Sequence, residues 1–187
     1  MTGLPVAVAA GLVHRSHIAD GCVSRVWYSP CDRYRYALSR TWDTDQPVLL
    51  FIMLNPSTAD EQRNDPTVAR CETRARSMGF GGVMIANLFA FRATRPDDLK
   101  RADHPIGSAN DDILDHWSAS AGMTIAAWGV HGGHEGRAYD VASRLRGQVH
   151  HLGLTKDGHP RHPLYVSFKT QPVCWPHSER YVIGQSL

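Results

Sequence analysis

Two rhythms of apolar and polar positions divide this chain. Between Cys22 and Trp42, the stretches CVSRVWYSP and DRYRYALSRTW alternate aromatic or aliphatic residues with Arg and Ser. A period of two marks strands with one face in solvent, and the Ser-Pro-Cys-Asp between them reads as a turn, so a hairpin at a sheet edge is expected. From Val48 the apolar positions become continuous: VLLFIML, then GGVMIANLFAF from Gly81, MTIAAWG from Met123 and QVHHLGL from Gln148. Such runs suit strands covered on both faces. Helical patterns separate them. DPTVARCETRARSMGF opens on an acidic residue and Pro and closes on Gly; SANDDILDHWSASAG offers Ser108 or Asn110 as cap; EGRAYDVASRLRG ends at Gly147.

Strands alternating with helices predict an α/β fold: a three-layer α/β/α sandwich around a central four-stranded parallel sheet, plus an N-terminal antiparallel hairpin or extension. One domain is expected over 1–187, with 1–45 as extension or edge strands and 48–168 as core. The early run LPVAVAAGLV reads as a strand or loose arm. It lacks a preceding Lys or Arg and falls short of the roughly 18 apolar residues a membrane span needs. In parallel sheets, ligands bind beyond the carboxyl ends of the strands. Asn55, Asn87, Gly129 and the loop holding His162 are therefore expected to converge on one crevice.

Composition changes this picture little. The chain has 187 residues, 42% hydrophobic and 20% charged, which suits a globular domain with a single core. A net charge of +2 neither demands a polyanion partner nor excludes one. The cysteines Cys22, Cys31, Cys71 and Cys174 lack C-x-x-C spacing, so free thiols in a reducing cytoplasm are expected.

The candidate chemistry lies at the strand ends. Asn55 follows its apolar run directly and Pro56 fixes the turn; a plain turn-former or helix cap is the simpler alternative. Asn87 sits inside VMIANLFAF, where a carboxamide needs partners and has the donors and acceptors to read a nucleobase edge. His162, in GHPRHPLYV, could donate to charge developing on a leaving group, or be an ordinary loop histidine.

Taken in order, LNPS, IANLFAFR, AAWG and HPLY resemble the motifs of the uracil-DNA glycosylases, over roughly residues 48 to 168. The first is similar to the Gly-Ile-Asn-Pro-Gly motif of the mismatch-specific branch. The second resembles that of the iron–sulfur branch. Within this group the chain looks closest to a bacterial and phage family named only as a domain of unknown function, through LNPSTAD, DPT, NLFA, RAT and HPLY. The resemblance implies that Asn55 positions the hydrolytic water, Asn87 binds an everted pyrimidine and His162 stabilises the departing base. An asparagine is no strong base, so positioning and slow turnover are expected.

The departures from the pattern shape the expected substrate. Phe91 stands where a cluster cysteine would fall, so no cluster, cofactor or metal is expected. PTVAR resembles the Pro-Phe-Val-Gly-Arg segment whose Phe stacks on the base; Thr67 replaces that ring, leaving Phe89 or Phe91 to stack. Ser57 stands where the strict uracil enzymes carry a bulky tyrosine. Together with Pro56 these residues outline a roomier base pocket, suited to a 5-substituted pyrimidine such as the hydroxymethylated or glucosylated cytosines of phage DNA. The expected activity is a monofunctional DNA glycosylase, acting as a cytoplasmic monomer in antiphage defence.

For DNA engagement, Gly132 and Gly133 in GVHGGHEGR could present amides to a phosphate. Arg92, Arg95, Lys156 and Arg161 would line the rim, with Leu164 or Tyr165 as the wedge that base eversion requires; solvated surface is the alternative for each arginine. Two rivals remain. One is a non-glycosylase offshoot that binds or modifies a pyrimidine or nucleotide. The other is a metal hydrolase suggested by His131, His134, His150, His151, His159 and His162, although helical i, i+4 spacing is absent. A dinucleotide enzyme fits poorly, because GFGGV precedes a strand.

Overall fold

The structure, a computed structural model, describes residues 3–176. It overturns the expected four-stranded parallel sheet with a peripheral hairpin. The strands are β1 (Val13–Ala19), β2 (Cys22–Tyr28), β3 (Arg35–Thr41), β4 (Val48–Met53), β5 (Gly82–Asn87), β6 (Met123–Ala126), β7 (Val149–His151) and β8 (Val173–Cys174). They form one eight-stranded mixed sheet in the order β1-β2-β3-β5-β4-β6-β7-β8. Pairing is parallel between β5, β4, β6 and β7. It is antiparallel from β1 through β3 to β5, and again from β7 to β8.

The reason for the difference lies in β3. Its arginines and serine suggested a solvent face, yet all seven of its residues are buried. Leu38 lies opposite Ile85 and Thr41 opposite Gly82, so β3 is an interior strand. Its guanidinium groups meet backbone rather than water. Arg35 donates to the Ala59 carbonyl, and Arg40 to the Asp60 carbonyl and to Asn64 Oδ1. The 55–65 loop is thereby stitched over the strand, supplying Arg40 with several acceptors and Arg35 with one. At the sheet's outer edge, β1 is exposed along its whole length. The early apolar run forms the short helix α1 (Val6–Ala9) rather than a strand.

Five α-helices are described, the others being α2 (Pro66–Ser77), α3 (Pro96–Lys100), α4 (Asn110–Ser120) and α5 (Arg137–Arg144). The pleat sends alternate residues of each strand to opposite faces. Leu49, Phe51, Val83 and Ile85 pack with Val68, Cys71 and Ala75 of α2. Leu50, Ile52, Met84 and Ala86 pack with Ile113, Leu114 and Trp117 of α4 and with Val141 of α5. Asp65 caps α2 by accepting from the Val68 amide at 2.8 Å, and Pro66 opens its first turn, as the Asp-Pro signal predicts.

The cap of α4 falls elsewhere than expected. Ala109 occupies that place, and Asn110 is buried, donating to the carbonyls of Asn87 and Leu88 at 3.0 and 2.9 Å. The cysteines are free thiols. No helix among the described residues is long and apolar enough to cross a membrane.

Candidate functional site

At the carboxyl ends of β4 and β6 the surface opens into a cavity of about 690 Å³. Three stretches of chain build its walls. One runs from Met53 to Ser57 after β4, one from Trp128 to His131 after β6, and one carries Arg161, His162 and Tyr165 after β7. Thr67 and Val68, in the first turn of α2, form another side.

Asn55 is held firmly. Its Nδ2 donates to the carbonyls of Pro56 and Ala93, at 3.0 and 2.7 Å. Because both acceptors are carbonyl oxygens, the orientation of the amide is fixed. Oδ1 is then the atom Asn55 offers to the cavity.

His162 is positioned from two sides. Gly129, with φ 72°, donates its amide to the Pro160 carbonyl at 2.8 Å and draws the loop against the end of β6. From below, Arg70 on α2 donates to the carbonyls of Pro163 and Val166 at 3.2 and 2.6 Å. Arg74 donates to those of Thr170 and Ser167 at 2.7 and 2.8 Å. Nδ1 of His162 accepts from the Leu164 amide, which leaves the ring hydrogen on Nε2. Burial lowers the imidazole pKa below its ordinary 6.5, with the nearby Asp65 charge pulling the other way. The side chain is thus a neutral donor at neutral pH.

Three cavity residues were not singled out as site residues in the sequence, although Asp65 lies in DPT and Trp128 in AAWG. Asp65 is the carboxylate of the cavity wall, its oxygens accepting from the amides of Val68 and Ala59. Asp65 was legible as a helix cap and as the first residue of DPT, and neither points to a cavity. Arg35 is 2% exposed yet lines the cavity, and desolvation lowers its pKa to about 10. Trp128 borders the cavity while its ring is enclosed by Trp175 and the Gly132 backbone.

The structure brings Asn55, Ser57, Thr67, Arg161, His162 and Tyr165 to this cavity, Tyr165 at the lip and 85% exposed. Other expected site residues lie elsewhere. Asn87, in register with Met53, is not on the cavity wall; the pleat puts it on the face of Val83 and Ile85, 1% exposed, with neither amide atom hydrogen-bonded. Pro56 is buried in the turn behind Asn55. Phe89 packs on His134 and Phe91 on Tyr34, at centroid separations of 5.6 and 5.7 Å, so neither ring stacks in the cavity.

The expected DNA rim is also redistributed. Gly132 is buried beneath Trp128, and a Cβ at Gly133 would meet the His159 ring at 3.3 Å, so these glycines serve close packing rather than a phosphate nest. Arg92 pairs with Asp32 at 2.9 Å and Arg95 with Asp97 at 3.7 Å, which offsets their charge. Lys156 and Leu164 lie outside the lining. Among the described residues, no three His, Cys, Asp or Glu side chains gather as a ligand set, because the loop histidines point to different neighbours.

The model of a family described as protein of unknown function (DUF1643) matches residues 35–164. No curated protein and no solved structure matches the chain. The resemblance to uracil-DNA glycosylases is corrected accordingly: the match is to DUF1643, the sheet is eight-stranded and mixed, and no kinship with those enzymes is shown.

Proposed function

We propose that this chain, which belongs to the DUF1643 family, is a monofunctional DNA glycosylase that hydrolyses the N-glycosidic bond of a 5-substituted pyrimidine turned out of DNA. One observation carries the reading. A carboxamide oxygen with fixed orientation and a neutral imidazole with its hydrogen on Nε2 share one cavity at the strand ends. Breaking a glycosidic bond builds positive charge on the sugar and negative charge on the base. Preorganised groups at both places lower that barrier.

In this mechanism Asn55 Oδ1 holds a water against C1′ of the sugar. The water oxygen bonds to C1′ while the C1′–N bond breaks and its electron pair leaves with the base. His162 Nε2–H donates to the base anion, and the Asp65 carboxylate takes the proton released by the water. A cavity of about 690 Å³ sits well within the span of pockets that hold whole small ligands. With Ser57 and Thr67 on its wall, it has room for a substituent on carbon 5. Substrates of that kind occur in modified phage DNA, which suits an antiphage role in the cytoplasm.

The test is alkaline strand scission, with mass spectrometry of the released base, on DNA carrying uracil, hydroxymethylcytosine or its glucosylated form. Abasic sites should accumulate on the 5-substituted substrates. Asn55→Ala and His162→Ala should each lower the rate by about 10²–10³-fold. Release of uracil alone would end the roomy-pocket argument. Intact DNA together with tight pyrimidine nucleotide binding would replace hydrolysis by a binding role.

A further inference from the structure

Four arginines are buried among the described residues, and three are well supplied with acceptors. Arg74 reaches two carbonyls. Arg137 reaches the Leu88 carbonyl and Asp111, and Arg40 reaches Asn64 Oδ1 and the Asp60 carbonyl. Arg35 differs. One hydrogen bond, to the Ala59 carbonyl, accounts for its contacts, and no carboxylate pairs with it. Asp65 influences it only at longer range, and both Asp65 oxygens already accept from backbone amides. A buried cation with so little compensation is costly to the fold, yet this one borders the cavity.

We infer that Arg35 makes the inner wall of the cavity a subsite for the phosphate group of a nucleotide. That an anion binds there is independent of the proposed glycosylase activity; that the anion belongs to a nucleotide rests on it. The guanidinium fork retains hydrogens to donate, and its planar geometry suits paired phosphate oxygens. Ser57 and Thr67 add hydroxyls to the lining of the same cavity. The first turn of α2 adds the Thr67 amide, which no carbonyl within the helix can reach, together with the positive end of the helix dipole. Arg161 brings a second cation to the lining against the single carboxylate of Asp65, so the cavity as a whole favours an anionic guest.

The experiment measures binding to the full chain without any turnover. Inorganic phosphate, deoxycytidine, deoxycytidine 5′-monophosphate and a short single-stranded oligonucleotide are titrated by calorimetry, with melting temperature as a second readout. The monophosphate should bind about tenfold to a hundredfold more tightly than the nucleoside, as expected for charge-assisted hydrogen bonds to one phosphate. Inorganic phosphate alone should raise the melting temperature. Arg35→Met should abolish the preference while retaining affinity for deoxycytidine, and Arg35→Lys, a charge without the fork, should retain part of it. Competition between monophosphate and oligonucleotide assigns the phosphate to a free nucleotide or to a DNA strand. Equal affinity for nucleoside and monophosphate, or no response to either phosphate ligand, overturns the inference. So does an undiminished preference in Arg35→Lys, a readout that survives if Arg35→Met does not fold. Excision assays are separate: phosphate preference without abasic sites would sink the glycosylase alone, and the reverse would sink the phosphate subsite alone.

Discussion

Gly132→Ala sets the sequence reading of the 129–137 segment directly against its packing. A Cβ at this position would lie 2.2 Å from Trp128 Cδ1 and 2.9 Å from its Cγ and Nε1. The ring has nowhere to retreat: it is 1% exposed and packs against Trp175 at a centroid separation of 5.9 Å. Gly132 needs no left-handed backbone, so the whole effect is steric. Forcing a methyl into a filled core costs about 1–3 kcal/mol, and contact along the indole edge puts this case toward the upper end. For a chain of this length that corresponds to a fall in melting temperature of about 3–10 °C. Calorimetry and urea unfolding followed by tryptophan fluorescence measure it, with Gly133→Ala as the comparison. There the new methyl meets only the His159 ring at 3.3 Å, and about 1 kcal/mol or less is expected. If Gly132→Ala melts like the parent chain and instead selectively loses affinity for DNA, the packing argument is wrong and the glycines cradle phosphate after all.

Three other outcomes are expected. Arg74→Ala removes two charge-assisted bonds to the Ser167 and Thr170 carbonyls. It should cost about 3 kcal/mol in urea unfolding and open the 163–170 segment to proteolysis; a loss under about 1 kcal/mol would mean that the clasp contributes little. Burial lowers the His162 pKa, so the unfolded chain takes the proton more readily; this contribution to stability is whole above pH 6.5 and is lost as pH falls through the lowered folded value. His14 and His159 shift the same way, so the urea midpoint should decline on acidification, and decline less in His162→Asn, which keeps an acceptor for the Leu164 amide. An identical slope in that variant would contradict the assignment. Finally, the Ser29 hydroxyl and Arg33 bring the exposed Cys31 thiol down to about 7, while burial pushes Cys71 up. Iodoacetamide at neutral pH should therefore label Cys31 well before Cys71, as peptide mass spectrometry can show, and equal labelling would refute the difference.

The parts of the site that were readable in advance are those with a local cause. Asn55 and His162 each follow a buried run, and a strand end at the edge of a sheet is a place where polar side chains meet space rather than core. Asp65 was visible as half of an Asp-Pro helix start and within DPT, but not as a cavity residue, because capping α2 and facing a cavity leave the same local trace. Phe89 and Phe91 were expected in the cavity because they sit close to it along the chain. Their rings turn to His134 and Tyr34, which chain order does not reveal.

By itself the amino-acid order determined the segments: the four continuous apolar runs, the Asp-Pro opening of α2 and the polar turns between them. Each depends on the spacing of neighbours and on backbone preferences a few residues long. What covers each face was settled only in three dimensions. Arg35 looked like a solvent residue of an edge strand until the loop 24 residues further on met it with a carbonyl. Arg74 on α2 is buried because a segment 96 residues away closes over it. An arginine costs little in water and little against well-placed carbonyls, so its own position cannot distinguish the two. The meeting of distant backbone decides, and here it turned an expected sheet edge into an interior strand bordering a cavity.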